Sequence, residues 1–153
     1  MKPASTIAAA LALAAAPAPA LAQEPARERG AEPTFVTSGG AYPFSDSVAA
    51  GEMVYLSGVI GTRADGALVP GGIEPETRAI FAEIEARLAR HDLTLRDVVK
   101  CTVMLADMAE WPAFNAVYAG YFEKGRYPAR SAFGATALAL GARVELECMA
   151  YRG

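Results

Sequence analysis

The chain has 153 residues, with 14 basic and 17 acidic side chains and a net charge of −3. No basic cluster marks a nucleic-acid surface, and a chain of this size makes one domain. With one histidine and two cysteines there is no Cys/His metal spacing and no disulfide framework.

The first residues carry an address. Lys2 gives a short positive start, "IAAALALAAAPAPALA" follows, and "ALAQE" reads as a cleavage site after Ala22. This is the pattern of a secretory signal peptide over residues 1–22. The competing reading is a membrane anchor, but the helical part ends at Pro17, short of the roughly 20 apolar residues that a span needs. The expectation is an exported protein, periplasmic or secreted, with no membrane association once the peptide is removed. Residues 23–34, polar and bearing Pro and Gly, read as a flexible leader, which leaves a domain over residues 35–153.

"FVTSGGAYPFSDSV" predicts a short strand and an irregular loop, and "GEMVYLSGVIG" a strand ending in glycine. A loop with an Asp65-Gly66 turn signal comes next. "IEPETRAIFAEIEARLARHD" is a helix, with Ile80, Ile84 and Leu88 on one face, Phe81 beside them and Pro75 in the first turn. Glu74-Arg78 and Glu83-Arg87 are i,i+4 pairs expected on its wet side. His91, at the helix end, is expected in a capping role, which removes a Ser-His or Cys-His nucleophile pair.

In the next strand Val99, Cys101, Val103 and Leu105 alternate with Lys100, Thr102 and Met104. A second helix carries the stripe Trp111, Phe114, Tyr118 and Tyr121, a spacing that belongs to core. Two strands end the chain, and Val144, Leu146, Cys148 and Ala150 alternate with Arg143, Glu145, Glu147 and Met149 in the last. Cys101 and Cys148 both fall in apolar strand patterns and are expected as small buried hydrophobes, with a disulfide as the alternative.

The order β-β-α-β-α-β-β gives an α+β domain with two helices packed on one face of a single mixed sheet. Its other face, with Tyr55 or Leu56, Met104 or Leu105, and Met149, is expected to be buried against copies of itself.

The blocks "PFSDSV…GEMVYLSGVIG", "DVVKCTVMLADMAEWPAFNAVYAGYF" and "YPARSAF…VELECMA" resemble the Rid family, the YjgF-type reactive intermediate deaminases. The resemblance covers about residues 35 to 152. It implies a chorismate-mutase-like fold, a homotrimer with ligand sites between subunits, and hydrolysis of 2-imino or enamine acids to 2-keto acids and ammonia without metal or cofactor.

The resemblance also assigns residues. Arg130 matches the arginine that clamps the substrate carboxylate, and Glu145 the glutamate that positions the hydrolytic water. Ser57 and Gly58 match the pair at the strand end, and Asn115 the asparagine of the second helix. Three positions depart: Phe44 stands for a tyrosine, Val59 for a glutamine and Ala132 for a cysteine, a change that matters little if only the backbone N–H there contacts ligand. Phe44 and Val59 point to a more apolar ligand than short imino acids.

These residue types suit the chemistry. Arginine grips a planar carboxylate with two parallel hydrogen bonds. An ionised glutamate orients a water and takes its proton. If the last two strands form a hairpin turning near residue 140, Arg130 and Glu145 stand about five residues apart along the ladder, ~16 Å at the strand rise. Glu145 is then expected to complete the site from a neighbouring subunit. The competing functions are a non-catalytic trimer binding small carboxylic acids in the same clefts, and a structural or chaperone-like trimer, against which the Arg-Glu pair argues.

Overall fold

The computed structural model of the protein describes residues 31–37, 39 and 42–153. The expected signal peptide, and the leader up to residue 30, lie outside the described residues. Among the described residues there are seven strands and two α-helices: β1 (Thr34–Val36), β2 (Ser47–Ala50), β3 (Met53–Leu56), β4 (Val59–Ile60), α1 (Ile73–Ala89), β5 (Val98–Leu105), α2 (Trp111–Tyr118), β6 (Ala129–Gly134) and β7 (Val144–Tyr151). The sheet order is β1-β2-β3-β7-β5-β6, and β4 also pairs with β7. β6 runs parallel to β5, while β7 is antiparallel to β3, β4 and β5.

Both helices lie on one face, as their apolar stripes demand. Ile80, Phe81, Ile84 and Leu88 of α1 and Phe114 of α2 are fully buried. They meet Val54, Leu56, Val103, Leu105, Val144 and Leu146 of the sheet, a single core. The other face is open. In register across it lie Tyr55 with Met149, and Glu145 with Met104, which is flanked in turn by Phe133. Tyr55 and Phe133 are exposed, whereas Leu56 and Leu105 belong to the core.

The opening segment divides into more strands than the sequence pattern predicts. β2 and β3 form a hairpin through Gly51 and Glu52, with Ala50 opposite Met53. Gly51 has φ +58°, the conformation that the first central residue of a two-residue hairpin turn takes at no steric cost. The stretch predicted as one strand breaks at Ser57-Gly58. β3 pairs with residues 149–151 of β7 and β4 with residues 145 and 146.

Two further expectations change. A register shift between Val98 and Lys100 makes Val99 an extra residue, so Val98 takes the core position and Val99 is exposed. The two cysteines are joined rather than free. Cys101 and Cys148 are register partners on β5 and β7, with Cα atoms 4.1 Å apart, and form a disulfide. Both are at most 1% exposed. Neighbouring strands bring opposite residues to within bonding reach on the same face, a consequence of topology that no local pattern reveals.

The bond joins the neighbouring strands β5 and β7 across a sequence separation of 47 residues. Cys101→Ala with Cys148→Ala is expected to cost about 2–4 kcal/mol of stability, read from urea unfolding midpoints of the double variant and the oxidised wild type.

Candidate active site

Arg130 stands on β6, the edge strand, in register with Cys101. Register partners share a face, so its side chain turns toward the helix layer. There it meets the aromatic stripe of α2. The guanidinium carbon lies 4.6 Å from the Trp111 ring centre, 4.5 Å from Tyr118 and 6.0 Å from Phe114. Rings at that range attract the cation and hold its plane in place. Asn115, Tyr127 and Pro128 line the same shallow groove. Ala132, two residues along β6, packs against the core. Burial pushes the Tyr118 phenol above its ordinary value, and Arg130 partly opposes this.

Glu145 lies elsewhere. It alternates with Val144 and Leu146, which face the helices, so it projects from the open face. Its neighbour is Gly58: a side chain there would run into the Glu145 carboxylate oxygen Oε1. Ser57 Oγ donates to the carbonyl of Ser45 at 2.6 Å, which ties Gly58 to the loop carrying Phe44. Phe44 is exposed and stacks on Tyr42, ring centres 5.6 Å apart. Val59 turns into the core, so its side chain does not line this site.

The residues singled out therefore form two groups. Arg130, Asn115 and Ala132 sit at the α2 edge; Glu145 on β7, with Ser57 and Gly58 before β4 and the loop carrying Phe44, forms the second. The hairpin expected between the last two strands does not form, because β5 is inserted between β6 and β7. Arg130 is level with Cys148, and Glu145 is three residues further along. That is about 10 Å along the strands and about 10 Å across two strand spacings. The two side chains also leave opposite faces. Among the described residues, neither has a hydrogen-bond or ion-pair partner.

A third group carries charge under the Ser57 corner. Arg87, expected on the wet side of α1, is only 8% exposed. Its Nε donates to Glu83 Oε1 at 2.8 Å, and Nη1 to the carbonyls of Asp46 at 3.3 Å and Ser57 at 3.1 Å. Asp46, also buried, takes a bond from Arg90 Nη1 at 2.8 Å. The exposed pair Glu74-Arg78 is the wet pair expected, at 3.9 Å. An i,i+4 Glu-Arg pair looks the same in sequence whether it faces water or a loop, which is why Arg87 escapes the pattern.

His91 serves the same corner. α1 closes with Leu93 N–H bonded to the Leu88 carbonyl at 3.1 Å and Asp92 in the left-handed conformation, φ +58°. The His91 ring reaches β2, with Nε2 2.7 Å from Ser47 Oγ. Burial first, then Arg152 and Arg90, hold its imidazole below the ordinary value of 6.5, against Asp92.

A domain with two helices packed on one face of a mixed sheet is the chorismate-mutase-like fold of the solved structures that it resembles. Within that fold, the chain belongs to the family described as Endoribonuclease L-PSP, whose family model matches residues 37–152, and a protein of the Rid family is among the solved structures that it resembles.

Relatives carry the resemblance further. The chain is 39% identical over 112 residues to the 2-iminobutanoate/2-iminopropanoate deaminase of Capra hircus, covering 72% of this chain and 81% of that one. It is 37% identical over 109 residues to the chloroplastic Reactive Intermediate Deaminase A of Arabidopsis thaliana, covering 71% and 58%. Among solved structures, yeast Mmf1 superposes with a TM-score of 0.72 at 31% identity, over 80% of this chain and 100% of that one. A Rid-family protein of unknown function from Yersinia pestis gives 0.74 at 30%, over 78% and 99%.

Two glycines should separate site from scaffold. A Cβ on Gly61 would lie 2.6 Å from the Glu76 backbone, which cannot yield, so Gly61→Ala is expected to cost about 1–3 kcal/mol in urea unfolding. A Cβ on Gly58 meets the end of a flexible side chain, so Gly58→Ala should cost less than about 1 kcal/mol while displacing the Glu145 carboxylate, seen in a crystal structure of the variant.

His91 sets a pH dependence. Its folded value is depressed, so the unfolded chain takes up the proton first as pH falls. Stability should be fully present above pH 6.5 and decline as pH drops from there through the lowered folded value. His91→Gln should flatten that slope in unfolding curves taken at successive pH values.

Proposed function

We propose that this protein hydrolyses 2-imino and enamine acids to 2-keto acids and ammonia in clefts between the subunits of a homotrimer. The observation that carries this reading is the division of charge. A positive group and a negative group, neither with a hydrogen-bond or ion-pair partner among the described residues, stand too far apart on opposite faces to serve one small molecule within a chain. A second copy laid against the open face supplies the missing half, and that face, with Tyr55, Met104, Phe133 and Met149, is apolar enough to be covered. The names of the relatives point to the same chemistry.

In this mechanism Arg130, steadied by Trp111 and Tyr118, grips the substrate carboxylate through two parallel hydrogen bonds. An enamine first takes a proton on carbon to become the iminium form. Glu145 of the neighbouring copy accepts a hydrogen bond from a water and aims its oxygen at the C=N carbon. As the C–O bond forms, the π pair moves to nitrogen and Glu145 takes a proton. That proton passes to the nitrogen, the C–N bond breaks with its pair leaving on ammonia, and Glu145 takes the hydroxyl proton as the carbonyl forms; the ammonia then carries that proton off as ammonium. Iminium carbon is already electrophilic, so holding the two reactants in line supplies most of the acceleration. Asn115, Ser57, Gly58 and the backbone of Ala132 complete the binding surface.

Export fits the Cys101–Cys148 bond, since disulfides persist in oxidising compartments. A non-catalytic trimer that binds small carboxylic acids is favoured by one observation: Phe44 lacks a hydroxyl, and its stack with Tyr42 makes an apolar wall beside the corner.

One assay separates the two. Imines are generated from amino acids by an oxidase, and keto-acid release is followed. Wild type should exceed the spontaneous rate, Arg130→Ala should lose about 100-fold or more in kcat/KM, and Glu145→Gln should lose mainly kcat. Hydrolysis by wild type no faster than by Arg130→Ala, across short and apolar imino acids, would sink the enzyme reading.

A further inference from the structure

The Arg87 group has a use beyond holding α1 to the sheet. Packing alone gives no reason for a guanidinium there, because an aliphatic side chain would fill the space without the cost of desolvating a charge. What arginine adds is direction: a rigid fork of donors that meets several acceptors at fixed angles. Its Nη1 reaches two backbone carbonyls, those of Asp46 and Ser57. Ser57 N–H is itself bonded to the Asp46 carbonyl at 3.0 Å, and Ser57 Oγ to the Ser45 carbonyl. Ser57 is thus held at its amide, its hydroxyl and its carbonyl.

The carbonyl matters most. In a trans peptide C=O and N–H point opposite ways, and every described peptide bond here is trans. With the Ser57 carbonyl drawn toward α1, the N–H of Gly58 is turned away from the helix layer. Glu145 lies on that side, its carboxylate filling the space that a Gly58 side chain would take.

We propose that Arg87 is a positioning residue, which orients the Ser57–Gly58 peptide from the buried side of α1 and so fixes where the Glu145 carboxylate can stand. The inference rests on the deaminase reading for its kinetic consequence, but not for its structural one. Glu83, Asp46 and Arg90 are the supports of the device: Glu83 fixes the Nε edge, and Arg90 holds Asp46 in place.

The test uses Arg87→Lys, which keeps the charge but cannot span the acceptors. At matched folded fraction, kcat for imine hydrolysis is expected to fall about tenfold with KM within about twofold, because Arg130 is untouched. In a Glu145→Gln background the same change should alter kcat less than about twofold, since the group that Arg87 positions is already gone. A merely structural arginine would give equal losses in both backgrounds, and that result overturns the proposal.

Hydrogen exchange gives a readout free of activity. The Ser57 amide should exchange about tenfold faster in Arg87→Lys while amides of β5 keep their protection. An unchanged Ser57 amide also overturns the proposal. Should wild type prove inactive on every imine, the deaminase reading falls and the Ser57 amide alone decides for Arg87. If Arg87→Lys does not fold, Arg87→Met, which fills similar volume without the fork, takes its place in each measurement.

Discussion

Side chains on a strand point alternately to its two faces, and this alternation governs the rest of the domain. On β7 it sends Val144, Leu146, Cys148 and Ala150 under the helices and Glu145, Glu147 and Met149 outward. On β6 it sends Arg130 toward α2. A one-residue slip in β7 would bury two carboxylates and expose core residues, so its register is held by the hydrophobic effect as firmly as by hydrogen bonds. The separation of Arg130 from Glu145 follows from that constraint. The charges are apart because the core is intact.

Much of this was legible in the sequence. Ile80, Ile84 and Leu88 recur at helical spacing, and β7 alternates without a break, so α1, β7 and the layering follow from periodicity. The residues around Arg130 were visible one by one. What stayed hidden depends on which strands are neighbours. The join between Cys101 and Cys148 and the insertion of β5 between β6 and β7 are facts of topology. Val99 was misplaced because a bulge adds a residue without changing the apolar character of "VV". The break at Ser57-Gly58 carried a signal, a Ser-Gly pair inside an apolar run, and the hairpin at Gly51 another. Arg87 carried none. Whether an arginine on a helix faces water or a loop is decided by the loop.

The two charged groups differ in how they are held. Arg130 rests on rings, which leave its hydrogen-bonding edge open. Arg87 spends its donors on protein acceptors and leaves none of that kind of opening. Two arginines of equal formal charge therefore do different work: one faces the groove and the other fixes backbone. Net charge and composition cannot separate these roles, whereas the identity of the neighbours does.

The Cys101–Cys148 bond sits beneath both helices, where a soluble thiol cannot touch it while the helices stay docked. Its reduction must wait for the sheet to be uncovered. The bond is therefore a recorder of rare openings. The rate at which a small reductant consumes it, in native buffer, counts the excursions in which the helix layer lifts away. A ligand that clamps the layers would slow that clock, whatever chemistry it underwent.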